Sequence, residues 1–434
     1  MAINGQVYKP GRASPTMMGT VEGLSDEGLG ILREGNRTIL VPHTAPGDVV
    51  EVRRWRRKKK KLIATDFKLI EPSPIRVEPE CPYFGRCGGC LLQHLPYEEQ
   101  LRFKASKLSK YLGLNVNVIP SPKIYGHRNR IDVVISTTGI GFRRYGTWWE
   151  AVDIAECPVF GGTSGKVLKA LREFIEDEGL SLYDMRKNRG FLRYVVIREG
   201  KFTGELMVNL VTKEGTLPES FPDYFPFATS LYWSVNRSDS DVSYGDVERF
   251  WGSPFIRERL EDVVYLIHPN SFFQTNSHQA VNLLREVEKL VEGESVLDLY
   301  SGVGTFGVYL AKRGFAVEGV EINPFAVEMA NKNAELNGVS AQFRVGSDRD
   351  VGDLSKYDTV IVDPPRAGLH PKLIRKILKD EPERLIYVSC NPKTLSENLY
   401  KLKEKYRVEH AVGLDMFPHT PHVEAVVGLS RFDV

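Results

Sequence analysis

The chain has 434 residues, enough for about three domains, and its 42% apolar and 26% charged residues are typical of a globular protein. No apolar run approaches the roughly 20 residues needed to span a bilayer, and the N-terminus lacks a hydrophobic signal core, so we expect a cytoplasmic monomer without membrane contact. The net charge of +2 is uneven, because residues 1–72 hold 13 Lys and Arg against 8 Asp and Glu, whereas the rest hold 45 against 48; we therefore expect the N-terminal end to contact a polyanion.

Residues 1–72 predict a small β-barrel of OB type. Five short strand candidates, separated by glycine, proline and acidic turns, cover 18–22, 30–32, 37–42, 48–53 and 61–65. The run from Arg53 to Lys61 contains eight cations and the indole of Trp55. Such a run can follow phosphates while the ring stacks on a base, although a solvated charged surface is the alternative.

Residues 73–265 predict a central α+β domain. Helix candidates cover 97–111 and 166–178, and the clearest strands cover 130–136, 194–198 and 205–211. It holds four of the five cysteines, namely Cys81, Cys87 and Cys90 near its start and, after 66 intervening residues, Cys157. An odd total without a secretion signal argues against disulfides. Four thiolates can hold tetrahedral zinc or an iron–sulfur cluster, and free thiols are the third possibility.

Residues 266–434 predict an α/β domain with a parallel sheet covered by helices on both faces. Strand candidates cover 295–300, 316–321, 341–345, 358–362, 384–389, 408–415 and 423–430. Helix candidates cover 279–291, 305–313, 324–337, 371–379 and 394–404. No helix separates the last two strands, so we expect them to pair antiparallel at one edge.

A glycine turn follows the first of these strands, in Asp298-Leu-Tyr-Ser-Gly302-Val-Gly304. Gly302 and Gly304 permit close approach of backbone to a ligand, and Glu321 ends the second strand, where a carboxylate can accept both hydroxyls of a ribose. No GxGxxG run is present, which favours a mononucleoside-type cofactor such as S-adenosylmethionine. The alternative is an ordinary tight turn with a solvated glutamate.

Three further strand ends carry reactive groups. They are Asp363 in Asp363-Pro-Pro-Arg366, Cys390 in Ser389-Cys390-Asn391-Pro392, and Glu424 at the start of the last strand. Strand ends line the ligand crevice of such sheets, so Cys390 is a candidate nucleophile and Glu424 a candidate base. A strand-ending turn, a buried structural thiol and a solvated glutamate are the respective alternatives.

These groups suit methylation of uracil at carbon 5. That carbon is a poor nucleophile until a thiolate adds to C6 and turns the ring into an enolate, which can then take the methyl group of a sulfonium cofactor. A base must afterwards remove the C5 proton so that the cysteine can leave. A target inside structured RNA must first be unstacked.

The residues resemble the RNA uracil-C5 methyltransferases of tRNA and large-subunit rRNA over nearly the whole chain. The resemblance is carried by Ser271-Phe-Phe-Gln274-Thr-Asn276, the glycine turn, Asp363-Pro-Pro-Arg366, Ser389-Cys390-Asn391-Pro392 and His422-Val-Glu424. It implies a class I, Rossmann-like methyltransferase sheet with Cys390 as nucleophile and Glu424 as base. It also implies cofactor contacts from Gln274, Tyr300, Thr305, Glu321 and Asp363, with Ser347 or Asp348 at the adenine.

The resemblance extends to the rest of the chain. Members carry a [4Fe–4S] cluster at the spacing of Cys81, Cys87, Cys90 and Cys157, and the N-terminal segment resembles the RNA-binding TRAM domain. Two positions depart from the family: Thr305 replaces a common Asn, and Ser301 replaces a Cys found in many members, which leaves Cys390 as the sole nucleophile candidate.

The leading hypothesis is therefore an S-adenosylmethionine-dependent RNA uridine C5-methyltransferase. RNA cytosine C5-methylation is less favoured, because such enzymes tend to place a cysteine in the Asp-Pro-Pro turn, which here continues with Arg366. Non-catalytic RNA binding is a third possibility. Within the family, 23S rRNA enzymes share this architecture, whereas heat-adapted archaea use it on uridine 54 of the tRNA T-loop; the composition favours tRNA slightly.

Overall fold

The computed structural model describes residues 16–349 and 351–432, so the first fifteen residues of the predicted barrel lie outside the described part. The N-terminal strands are β1 (Met17–Thr20), β2 (Gly30–Glu34), β3 (Arg37–Val41), β4 (Val49–Lys58) and β5 (Lys61–Glu71). They form one barrel-like sheet in the order β1-β4-β5-β3-β2 around buried side chains such as Met17, Leu32 and Val50. Strand β4 runs further than predicted, because Arg54–Lys58 pair with β5 while their charges stay in solvent.

The central segment begins with α1 (Tyr97–Leu112) and a two-residue strand, β6 (Val118–Ile119). Next come β7 (Arg130–Ser136), β8 (Gly139–Arg143), β9 (Ala151–Asp153), α2 (Thr163–Asp177), β10 (Leu192–Glu199), β11 (Leu206–Thr212), β12 (Ser230–Val235) and β13 (Asp246–Gly252). Strands β7 to β13 form a seven-stranded sheet, and the apolar face of α2, including Leu168 and Leu171, packs on it. This burial of one helix face explains why the 3.6-residue periodicity marks α2 in the sequence.

A hairpin, β14 (Ile256–Leu260) and β15 (Val263–Ile267), precedes the last sheet. Its buried residues Ile256, Leu260 and Val263 belong to the same core as the helices of the C-terminal sheet. The boundaries after residues 72 and 265 stay predictions.

The C-terminal elements alternate between helix and strand. They are α3 (Ser277–Glu288), β16 (Ser295–Leu299), α4 (Thr305–Lys312), β17 (Ala316–Glu321), α5 (Pro324–Leu336), β18 (Gln342–Val345), β19 (Thr359–Val362), α6 (Pro371–Asp380), β20 (Arg384–Ser389), α7 (Pro392–Leu402), β21 (Tyr406–Leu414) and β22 (Glu424–Arg431). The mixed α/β, multidomain organisation predicted from the sequence is confirmed.

The sheet order is β18-β17-β16-β19-β20-β22-β21-β6. Strands β16 to β20 are parallel, and β22 inserts antiparallel between β20 and β21. The first residue of β22 therefore lies at the edge where the parallel strands end. Within the described residues, no helix has both the length and the apolar character that a membrane crossing requires.

Candidate active site

The turn after β16 is shaped by three residues with left-handed backbone conformation. Tyr300, Gly302 and Gly304 have φ angles of 63°, 54° and 81°. A β-carbon on Gly304 would stand 3.0 Å from Phe343 and Val308, so only glycine fits without displacement. Tyr300 is not glycine, and its φ marks a locally strained backbone of the kind that clusters at functional sites.

Glu321, at the end of β17, is tied to this turn. Its carboxylate accepts hydrogen bonds from the backbone N–H of Gly302 at 3.1 Å and of Asn323 at 2.9 Å. The side chain is half-buried, and the two backbone donors fix its direction. The predicted ribose-binding carboxylate therefore stands beside the predicted glycine turn.

Tyr300 reaches the next loop. Its hydroxyl donates to Asp348 Oδ2 at 2.6 Å, whereas Ser347 Oγ faces the other oxygen of Asp348 at 3.3 Å. Of the two residues that the sequence left open, Asp348 is thus the one bound to the turn.

Asp298 is a buried acid that the sequence reasoning did not select. One oxygen accepts from the N–H of Gly307 at 3.0 Å, while Oδ1 has no partner among the described residues. Burial, followed by the negative charge of Asp363, raises the pKa of Asp298 to about 8. Asp298 could have been found in the sequence from its position at the end of an apolar strand, directly before a glycine turn.

Cys390 and Glu424 lie side by side. Strands β20 and β22 pair through Ser389 and Ala425, so the next step of the ladder brings Cys390 beside Glu424. Glu424 is buried, with 4% of its surface exposed, and Cys390 is half-buried. The register places the thiol and the carboxyl at one strand edge.

The electrostatics connect this pair to Asp363. Burial, then the charges of Glu424 and Asp363, raise the pKa of the Cys390 thiol to about 11, and the nearby Arg366 guanidinium opposes them. Burial, then the charge of Asp363, raises the pKa of Glu424 well above its usual value. Burial likewise raises the pKa of Asp363. Cys390, Glu424 and Asp363 therefore share one cleft of low dielectric, in which ionisation of one group disfavours ionisation of the others.

Two loops at this edge are joined by hydrogen bonds. The carbonyl of Arg366 accepts from Asn391 Nδ2 at 2.9 Å and from Thr394 Oγ1 at 3.2 Å. The Asp-Pro-Pro-Arg turn and the start of α7 thus hold each other on either side of Cys390.

Helix α1 clamps the loop that leads to Glu424. Lys104, which is fully buried, donates to Asp415 Oδ1 at 2.6 Å and to the carbonyl of Phe417 at 3.0 Å. The Tyr97 hydroxyl donates to the other oxygen of Asp415 at 2.9 Å. Breaking such a buried pair from one side costs about 3–5 kcal/mol, so the loop is strongly positioned. A lysine on a helix gave no signal of this burial in the sequence.

The four clustered cysteines line one cavity of about 430 Å³, which also borders Phe273 and Phe417. Burial, and then the neighbouring Cys157, Cys87 and Cys81, raise the pKa of Cys90 to about 12. Among the described residues, no three potential ligands are close enough to share one metal ion. The N–H groups of Leu91 and Leu92 both donate to the carbonyl of His419 at 2.9 Å, so this segment also holds the loop before Glu424.

The remaining predicted cofactor residues lie on the elements around the turn. Thr305 is the first residue of α4 and is half-buried. Gln274 is 8% exposed, and its carbonyl accepts from Asn129 Nδ2 at 2.7 Å. Their contacts with a cofactor stay predictions.

The arrangement has a close counterpart among solved structures. The crystal structure of the Pyrococcus abyssi tRNA (uracil-54, C5)-methyltransferase in complex with S-adenosyl-L-homocysteine matches with a TM-score of 0.89 and 58% identity, covering 95% of this chain and 99% of that one. With its glycine turn, strand-end acids and mixed sheet, the protein is an S-adenosylmethionine-dependent methyltransferase.

Sequence comparisons agree with this class. One family model, the TRAM domain of tRNA (uracil(54)-C(5))-methyltransferase, matches residues 17–75, and another, tRNA (Uracil-5-)-methyltransferase, matches residues 253–432. A tRNA (uracil(54)-C(5))-methyltransferase of Pyrococcus horikoshii is 60% identical over 95% of this chain and all of its own length. A 23S rRNA (uracil(747)-C(5))-methyltransferase of Pyrococcus abyssi is 46% identical over 96% of this chain and all of its own length. The chain belongs to the RNA uracil-C5 methyltransferase family.

Proposed function

We propose that this enzyme methylates its uridine by covalent catalysis, with Cys390 as nucleophile and Glu424 as base. The observation that carries the proposal is the β20–β22 register, which sets the thiol beside the buried carboxyl at the strand edge. Cys390 must reach C6 of the uracil ring, and Glu424 must reach the proton on C5. Because C5 and C6 are adjacent atoms, the two side chains can act on one face of the ring only if they are neighbours.

The proposed steps begin with ionisation of Cys390. The thiolate forms a bond to C6, the C5–C6 double bond opens, and its electrons delocalise to C5 and the C4 carbonyl. S-adenosylmethionine would supply the methyl group to C5 and leave as S-adenosylhomocysteine. Glu424 then takes the C5 proton, the C5–C6 double bond re-forms, and the C6–S bond breaks to release the thiolate.

The structure supports roles for the chain's own residues in this sequence. The cation of Arg366 opposes the rise in the pKa of Cys390 that burial, Glu424 and Asp363 cause, and so favours the thiolate. Burial raises the pKa of Glu424 and so makes its carboxylate a stronger base than an exposed carboxylate. The clamp of Lys104 on Asp415 and Phe417 holds the loop from which Glu424 emerges.

For the cofactor, we propose the side chains that surround the turn after β16. Glu321 is oriented by Gly302 and Asn323 to accept ribose hydroxyls. The buried carboxyl of Asp298, whose Oδ1 has no partner among the described residues and whose raised pKa favours the protonated form at neutral pH, offers a hydrogen-bond donor beside the turn. Gln274, Tyr300, Thr305 and Asp363 complete the proposed set.

We propose uridine 54 of tRNA as the target. Relatives named for this target share 59–60% identity with the chain, against 42–46% for those named for uridine 747 of 23S rRNA, over the same share of the sequence.

The test uses two unmodified tRNA transcripts, one with U54 and one with U54 replaced by C, together with a 23S rRNA fragment spanning uridine 747. We expect 5-methyluridine at position 54 of the first transcript alone. Methylation of the rRNA fragment instead, with an inert U54 transcript, would reassign the target while leaving the chemistry in place.

We further propose that Cys81, Cys87, Cys90 and Cys157 hold a [4Fe–4S] cluster, with a zinc ion as the alternative. All four line one cavity, yet they do not crowd around a single metal position. A tetrahedral zinc site with ~2.3 Å Zn–S bonds needs closely spaced sulfurs, whereas a cluster binds each thiolate to a different iron. Because Leu91 and Leu92 bind the His419 carbonyl, the proposed role is to stiffen the loop before Glu424.

Protein purified without oxygen should contain about four irons and four sulfides per chain. The Cys90→Ala variant should contain less than about one iron per chain, whereas the matched Cys390→Ala variant should keep the full iron content of the wild type. One zinc per chain and no iron would refute the cluster.

A further inference from the structure

The loop between β8 and β9, residues 144–150, is held rigidly from three sides. From the barrel, Arg56 Nη2 donates to the carbonyl of Gly146 at 3.1 Å. From the cysteine segment, the carbonyl of Arg86 accepts from the N–H of Tyr145 at 2.8 Å. Within the loop, Arg144 Nε donates to Glu150 at 2.6 Å. The loop therefore presents its remaining side chains in fixed directions.

The two adjacent tryptophans of this loop differ in their surroundings. Trp149 is half-buried, and the guanidinium of Arg186 lies 3.6 Å from its ring centroid. Trp148 is 64% exposed, the only exposed one among the chain's five tryptophans, all of which are described. A single exposed aromatic ring is common on protein surfaces, so exposure alone does not mark Trp148 as a binding residue, whereas its position among cations does.

The sequence had assigned base stacking to Trp55. In the structure Trp55 packs against the barrel core, and the Arg37 guanidinium lies 5.6 Å from its ring centroid. The exposed indole next to the basic strand is Trp148 instead, and Arg56, the neighbour of Trp55, links the two sites.

The charges around the loop are complementary to a polyanion. The carboxylate of Glu150 is paired with Arg144. Arg56, Arg86 and Arg186 contact or flank the loop, and none of them forms an ion pair with another described residue. Of the eight cations in the run Arg53–Lys61, only Arg53 and Lys61 form ion pairs within the described part of the chain, with Glu51 and Glu27.

We propose that loop 144–150 is an RNA-binding surface on which Trp148 stacks on an unpaired base, while Arg56, Arg86 and Arg186 contact the flanking phosphates. Stacking and cation contacts of this kind bind single-stranded nucleotides without reading sequence. The surface extends the barrel's basic strand toward the cysteine segment. The inference rests on the enzyme's action on RNA, but not on which uridine is modified or on the covalent mechanism.

The test measures RNA binding without turnover. Fluorescence anisotropy with an unmodified tRNA transcript is read in the Cys390→Ala background with S-adenosylhomocysteine present, so that neither an adduct nor methylation contributes. Trp148→Ala should raise the Kd about 5- to 100-fold, the range of one lost base stack, and Trp148→Phe should recover most of it. The matched control is Tyr400→Ala, which removes a 69% exposed ring on α7 and should leave the Kd unchanged.

The dependence of Kd on salt concentration distinguishes base stacking from phosphate contacts. Trp148→Ala should keep the slope of log Kd against log salt concentration, whereas Arg56→Gln and Arg186→Gln should each reduce it by roughly 0.7–0.9. A Kd within twofold of the parent for Trp148→Ala, or equal losses for Trp148→Ala and Tyr400→Ala, would overturn the proposal. Failure of Cys390→Ala to abolish methylation would refute the catalytic scheme and leave this surface untouched.

Discussion

Replacement of Cys390 by alanine should lower methyl transfer by at least about 10⁴-fold, the scale on which loss of a covalent nucleophile lowers kcat. Without the C6 adduct, carbon 5 has no carbanion character and cannot take the methyl group. Wild-type enzyme should also form a stable adduct with 5-fluorouridine RNA, because fluorine cannot leave as a proton does, and Cys390→Ala should form none. Radiolabelled methyl transfer and the mobility of the complex on a denaturing gel give the two readings.

The control for this result is the fold of the variant. Cys390→Ala removes a half-buried thiol that takes no part in the backbone ladder between β20 and β22, so the thermal midpoint and cofactor affinity of the variant should stay close to those of the wild type. Methylation that persists in Cys390→Ala would exclude the covalent scheme. The serine that stands at position 301 offers no replacement thiol.

The pH dependence of the adduct follows from the same group. The pKa of Cys390 is raised to about 11, so the thiolate is scarce at neutral pH. As long as the pH stays below this pKa, each increase of one pH unit raises the thiolate fraction about tenfold. The single-turnover rate of adduct formation with saturating RNA should therefore rise steeply between pH 7 and 9. A rate that is flat over this range would show that the thiol is already ionised in the complex.

The C-terminal half was predictable because its signals are local. Parallel strands bring their carboxyl ends to one edge, so Glu321, Asp363 and Cys390 could be grouped from strand boundaries alone. Glu424 lies at the same edge, because β22 is antiparallel to β20 and begins where the parallel strands end. In each case an apolar strand stops at a polar residue, and that transition is visible in the sequence.

The parts that were missed depend on contacts between distant segments. Strand β6 has two residues, Val118 and Ile119, and exists only because β21 offers its edge. Lys104 is buried by Asp415, 311 positions away, although a lysine on a helix normally faces solvent. The charged half of β4 shows no alternation of apolar residues, because every residue of this half except Trp55 is exposed to solvent.

Replacement of Glu424 by glutamine should trap the enzyme on its RNA. The amide keeps the size of the side chain but cannot remove the C5 proton, so the methylated adduct cannot eliminate Cys390. Turnover should fall roughly 10²–10⁴-fold, the usual contribution of a general base, while the first methyl transfer proceeds. The expected reading is a covalent complex on a denaturing gel that carries one radiolabelled methyl group per RNA.

The matched control is Glu383→Gln, the same substitution at a side chain that is 77% exposed and lies before β20. It should turn over normally and leave no trapped complex. The double variant Glu424→Gln with Cys390→Ala should also leave none, since the trapped bond is the C6–S bond. Normal turnover in Glu424→Gln would instead assign the proton to another acid of the cleft, and Asp363, whose charge raises the pKa of both Cys390 and Glu424, would be the group to test next.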